Sequence, residues 1–151
     1  MLAEGDKLAK LTLLDDEGNK VSTHDFLDGY LVLYFYPKDD TPGCTNEGTQ
    51  FRDLYAKFKK KKAEIVGVSR DSVESHRKFK EKFDFPFPLL ADTESKLCDA
   101  FGVIVEKNMY GKKSMGVARS TFLIDSKGKI VKVWPKVKVD GHAEEVLASL
   151  P

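Results

Sequence analysis

The chain has 151 residues, the length of one domain, here expected to span residues 1–151, and its 25 Lys and Arg against 24 Asp and Glu leave a formal charge of +1. That balance argues against the strong field that draws a protein to nucleic acid or to an anionic membrane, so neither is an expected partner. Two cysteines are too few for a secreted disulfide framework, no run reaches the roughly 18 apolar residues of a membrane span, and the N-terminus shows no signal-peptide core, so a reducing, cytoplasmic setting is expected.

Residues 9–23, AKLTLLDDEGNKVST, read as a small hairpin turning at Gly18 and Asn19. Residues 31–36, LVLYFY, are apolar at both parities and stop at Pro37, which predicts a buried central strand. Phe51, Leu54, Tyr55 and Phe58 recur at helical spacing and predict an amphipathic helix from about 43 to 61. Lys59 to Lys62 close it as a solvated end that complements the helix dipole. Residues 64–69, EIVGVS, repeat the buried-strand pattern. Strand, long helix and strand form a βαβ unit, so the two strands should be parallel.

Residues 72–83 predict a polar-faced helix, FPFPLLAD a turn and short strand, and TESKLCDAFGV a short helix capped by Gly102. Residues 105–117 follow neither period and read as an exposed loop, with Asn108, Met109 and Tyr110 either bordering a pocket or free in solvent. STFLID, SKG and KIVKVW make a hairpin, and GHAEEVLASL a terminal helix. The fold class is α/β, with a mixed central β-sheet flanked by helices on both faces.

One cysteine stands at the start of the long helix. In Thr41-Pro42-Gly43-Cys44, Thr is a favoured N-cap and Pro a favoured first helical residue, which puts Cys44 at the third position of the first turn. Unpaired backbone N–H groups and the positive end of the helix dipole meet its sulfur there, and both favour thiolate over thiol. Positions 44, 48, 51 and 55 share one face, so Cys44 should face the protein at the base of a pocket that Gly48 keeps open. Glu47 either orients a local network or is a solvated surface carboxylate. From spacing alone, Cys44 as a small buried hydrophobe stays open.

The segment PKDDTPGC, with the form Pro-x-x-x-Thr-x-x-Cys, resembles the active-site signature of peroxiredoxins. The likeness continues through FPLLAD, EKNMYGK and RSTFLID and is strongest to the peroxiredoxin Q, or bacterioferritin comigratory protein, branch. It implies a thioredoxin-like fold, no cofactor, and reduction of hydrogen peroxide and organic hydroperoxides through a sulfenic acid at Cys44. By position it implies that Thr41 bonds the thiolate or the peroxide through its hydroxyl. Pro37 and Pro42 would shape and dry the loop, and Arg119 would be the arginine of the site. Backbone N–H groups of Gly43 and Cys44 join Arg119 as candidate donors to the departing oxygen, and Glu47 lies beside them.

Relatives in this branch place a resolving cysteine at the position of Thr49 or of Lys80; neither is cysteine here. Cys98, among Leu97 and Phe101, reads better as a structural residue. The expected cycle therefore uses one cysteine and an external thiol from thioredoxin, glutaredoxin or glutathione, with the two-cysteine route through Cys98 as the alternative. A peroxide-sensing or binding module without turnover is the alternative of another class. His24, His76 and His142 belong to no Cys-partner motif, His142 reading as a surface residue near a cap. C-x-x-C is absent, and no zinc spacing is present. A monomer is expected, as in much of this branch.

Overall fold

In the computed structural model, which describes residues 1–151, the alternation along β3 (Tyr30–Phe35) sets the layers. Successive side chains leave opposite faces of a strand. Leu31, Leu33 and Phe35 enter one apolar cluster, while Val32, Tyr34 and then Tyr36 enter the other. Both faces of β3 are therefore covered, which is why its sequence shows no polar alternation.

The main sheet has seven strands in the order β2 (Lys20–Ser22), β1 (Thr12–Asp15), β5 (Leu89–Ala91), β4 (Ala63–Ser69), β3, β8 (Ser120–Ile124), β9 (Ile130–Trp134). β3, β4 and β5 run parallel, β3 and β4 joined through α1 (Pro42–Lys60) as the βαβ reading requires. β1 and β8 run antiparallel to β5 and β3, so the sheet is mixed. α1, α2 (Val73–Phe83) and α4 (His142–Ala148) contribute Phe51, Phe58, Phe79 and Val146 to one face. α3 (Lys96–Phe101) contributes Leu97, Cys98 and Phe101 to the other.

Two local features position the site. β8 pairs with β3 so that Ser120 lies opposite Phe35, which brings the residue before β8 beside the end of β3, where the chain turns into α1. Val137 fixes that residue by donating its N–H to the Arg119 carbonyl at 2.9 Å.

The expected loop at 105–117 is instead a hairpin, β6 (Ile104–Met109) and β7 (Lys112–Val117). Its turn, Tyr110 and Gly111, has φ of 54° and 78°, the two positive values that a tight two-residue turn demands. The pattern was hidden because most side chains on both faces are exposed, Tyr110 being 98% accessible. Only the base of the hairpin, Ile104 and Val117, joins the core, and strands exposed over the rest of their length have no reason to alternate.

Candidate active site

α1 starts as its first residues dictate. Thr41 is the N-cap, with extended φ of −99° and ψ of 155°, and Pro42 occupies the first helical position, where its missing N–H costs nothing. Thr45 is the first to bond back, to the Thr41 carbonyl at 2.8 Å. The N–H groups of Gly43 and Cys44 precede it and have no carbonyl one turn back to accept them. Cys44 is 2% exposed and belongs to the apolar cluster under α1.

Arg119, 75 positions away, reaches this point from the start of β8. Its Nη2 donates to Cys44 Sγ at 3.4 Å, and its Nη1 donates to Glu47 Oε1 at 2.8 Å. A Cβ on Gly43 would lie 3.0 Å from Nη2, so the bare helix start is what lets the guanidinium approach. Burial opposes the charge on Arg119, but Glu47 and then Cys44 outweigh it, and the guanidinium is held more firmly protonated than usual.

Glu47 is not the surface carboxylate that the sequence left open: it is 1% exposed. Burial pushes its carboxyl up to about 7, against the pull of Arg119. Its second oxygen, Oε2, has no hydrogen-bond partner. Tyr34 lies near, its phenol kept neutral by burial first, then by Glu47 and Cys44.

Several expectations change. The Thr41 hydroxyl donates to the Lys38 carbonyl at 2.8 Å and makes no cap bond. A thiolate can only accept, so a bond from Thr41 to Cys44 would need the proton that Lys38 already takes. What remains is acceptance from a hydroperoxide O–H. Pro42 is exposed and cannot dry the pocket, whereas Pro37 is half-buried. Gly48 does not leave its face open, because the ring of Phe85 fills it and a Cβ would fall 2.5 Å from Phe85 Cζ.

The thiol of Cys98 is fully buried on the opposite face of the sheet from Cys44. Burial and then the hydrogen bond with Asp92 push it well above the ordinary thiol range. Thr49 donates its hydroxyl to the Asn46 carbonyl at 3.0 Å, and Lys80 pairs with Asp16 at 3.1 Å.

Other residues near the site escaped the sequence reading. Lys107 on β6 lays its side chain against Gly116 and has its ammonium pKa lowered, by burial first and then by Arg119, while Cys44 opposes the shift. His142 is buried rather than exposed, with Nε2 2.8 Å from Thr121 Oγ1, and burial lowers its pKa to about 4. Asp39 is buried at the loop before α1 and accepts from Tyr36 at 2.6 Å and Ser75 at 2.7 Å, with His76 Nδ1 also at 2.7 Å. Asp39, Asp71 and His76 each place a donor atom within 4.8 Å of the others, a grouping their sequence spacing does not announce. Those atoms already bond protein groups, Asp71 taking the Ser69 hydroxyl at 2.6 Å. The network fastens the loop carrying Thr41 to α2.

Residues 5–133 match the AhpC/TSA family. The chain is 58% identical over 121 residues to peroxiredoxin Bcp of Xanthomonas campestris, covering 80% of this chain and 76% of that one. To peroxiredoxin Bcp of Bacillus subtilis it is 51% identical over 146 residues, covering 97% and 93%. A structure described for alkyl peroxide reduction by X. campestris bacterioferritin comigratory protein superposes with a TM-score of 0.89 at 49% identity, covering 96% of this chain and 97% of that one.

Proposed function

This chain belongs to the AhpC/TSA family, in its peroxiredoxin Q/Bcp branch, and we propose that Cys44 is its peroxidatic thiol, activated by Arg119 and the first turn of α1. It has the thioredoxin-like peroxiredoxin fold and is a thiol-dependent peroxidase. The observation that supports the assignment of residues is the Arg119 Nη2 contact, 3.4 Å from Cys44 Sγ.

The Cys44 thiolate attacks the terminal oxygen of a hydroperoxide ROOH. An S–O bond forms, the O–O bond breaks, sulfur is oxidised to the sulfenic acid and RO⁻ leaves to become ROH on taking a proton. Negative charge grows on the leaving oxygen. Arg119 and the amides of Gly43 and Cys44 are the donors set to receive it, and one such donor is worth about 2.7–4 kcal/mol. Thr41 accepts from the hydroperoxide O–H, Pro37 shields the loop, and Pro42 fixes the helix start. Organic hydroperoxides are among the substrates, as in the X. campestris structure described for alkyl peroxide reduction.

Recycling uses one cysteine. Thr49 and Lys80 have no thiol, and Cys98 lies across the sheet, while a disulfide needs Cα atoms within about 7 Å. A monothiol or a thioredoxin-type reductant therefore attacks Cys44–SOH directly, in the cytoplasm, on a monomer. No helix is long and apolar enough to cross a membrane.

Peroxide consumption by wild type, Cys44→Ser and Cys98→Ser, each supplied separately with thioredoxin, glutaredoxin or glutathione, tests this reading. Loss of turnover in Cys44→Ser alone is expected. Equal rates for wild type and Cys44→Ser remove the assignment, a slow Cys98→Ser restores the two-cysteine route, and a stable sulfenic acid without turnover in any system favours a sensor.

A further inference from the structure

Arg119 faces two acid groups with one positive charge. Its Nη2 meets Cys44 Sγ and its Nη1 meets Glu47 Oε1, at 3.4 and 2.8 Å, and all three lie in a largely water-free site. Two anions against one cation would leave a net negative charge in low dielectric, which is costly. Glu47 also keeps Oε2 buried with no donor, an arrangement poor for a carboxylate. A proton on Oε2 removes the excess charge.

We propose that Glu47 is a proton-holding positioning residue that shares the single charge of Arg119 with Cys44: it is a carboxylic acid while Cys44 is thiolate and a carboxylate once Cys44 is sulfenic acid. The proposal rests on the peroxidatic role of Cys44. Its balance is Cys44–S⁻ + Glu47–COOH + ROOH → Cys44–SOH + Glu47–COO⁻ + ROH. Sulfur loses two electrons, the O–O bond gains them, and the proton that completes ROH is matched by the one Glu47 gives up. The guanidinium then keeps one anionic partner before and after the oxidation.

Other titratable groups do not blur this exchange. Tyr34 on β3 faces Glu47 and is held neutral by burial. Lys107 on β6 faces Arg119 and Cys44, but burial and Arg119 lower its ammonium pKa, and the hydrogen bonds to Cys44 and Glu47 come from Arg119 alone. His142 on α4 faces Arg119 with its pKa lowered to about 4, so it is neutral at neutral pH. Asp39, before α1, faces Tyr34 and is committed to Tyr36, Ser75 and His76. The Glu47 carboxyl, raised to about 7, titrates where the exchange needs it to.

Infrared difference spectroscopy near neutral pH reads the proton directly. The carbonyl stretch of a buried carboxylic acid, assigned by its absence from Glu47→Gln, should be present in the reduced protein and lost after one equivalent of hydrogen peroxide. In Cys44→Ser, where no thiolate competes for Arg119, the band should titrate away at least about one pH unit lower, a tenfold weaker hold on the proton. In a weakly buffered single turnover, Glu47→Gln should take up one more proton from solvent per peroxide than wild type does. A band unmoved by oxidation, or equal midpoints in wild type and Cys44→Ser, overturns the proposal; both comparisons are made on proteins that keep Glu47, Glu47→Gln serving only to assign the band. An unmoved band with Cys44-dependent turnover removes only this proposal; Cys44-independent turnover removes the reading beneath it.

Discussion

Replacing Gly48 with alanine sets two known effects against each other. In a helix interior, alanine is favoured over glycine by about 1 kcal/mol, so propensity alone predicts a more stable protein. The added methyl, however, would lie 2.5 Å from Phe85 Cζ, 2.9 Å from Cε1 and 3.2 Å from Cε2. Carbon atoms rest at about 3.5–4.0 Å, so the ring or the helix must move by about 1 Å. Phe85 cannot yield cheaply: it is 3% exposed, stacked on Phe87 at 5.4 Å and Phe83 at 5.9 Å, with Phe79 edge-on at 4.8 Å. Overpacking of this kind costs about 1–3 kcal/mol, and an overlap this deep belongs at the upper end. The expected net loss is about 1–2 kcal/mol, read as a lower urea midpoint at unchanged slope. A variant as stable as wild type, or more so, would refute the claim that Phe85 fills this face.

Arg119→Met should lower peroxide reduction by about 10²–10³-fold, by analogy with loss of one oxyanion donor. It also leaves Glu47 buried without its partner, so urea stability should fall further as pH rises above neutrality, since only the protonated carboxyl is tolerated there. Gly43→Ala pushes on Arg119 Nη2 from 3.0 Å and should slow turnover by up to about tenfold while leaving the urea midpoint nearly unchanged. Burial depresses the pKa of His142 from 6.5 to about 4, so the stability it contributes is complete above the unfolded value and lost as pH falls through the folded one. That amounts to at most about 3 kcal/mol, and the advantage of wild type over His142→Gln in urea should shrink by up to that much between neutral pH and acid.

How much of this was legible in the sequence depended on how local the cause was. The start of α1 could be read because Thr41, Pro42 and Cys44 act within one turn, and the strand at 31–36 because burial on both faces leaves no polar residue. Tertiary placement was harder. Arg119 was located through a resemblance, since only the antiparallel pairing of β8 with β3 brings it to Cys44. Glu47 and His142 look like ordinary surface residues until the guanidinium over one and Thr121 beside the other are known. Gly48 suggested an opening because a missing side chain says nothing about which neighbour takes the space. The β6–β7 hairpin left no trace because only its base, Ile104 and Val117, packs against the core, while most of its length is exposed.

The most direct measurement is a single turnover. Reduced protein is mixed with one equivalent of hydrogen peroxide in the absence of any thiol, and the products are mapped by mass spectrometry. Rapid consumption of the peroxide with one added oxygen on residue 44, slowed at least about a hundredfold in Arg119→Met, is what the geometry requires. Oxygen appearing first on Cys98 or a methionine, or an undiminished rate in Arg119→Met, would contradict it.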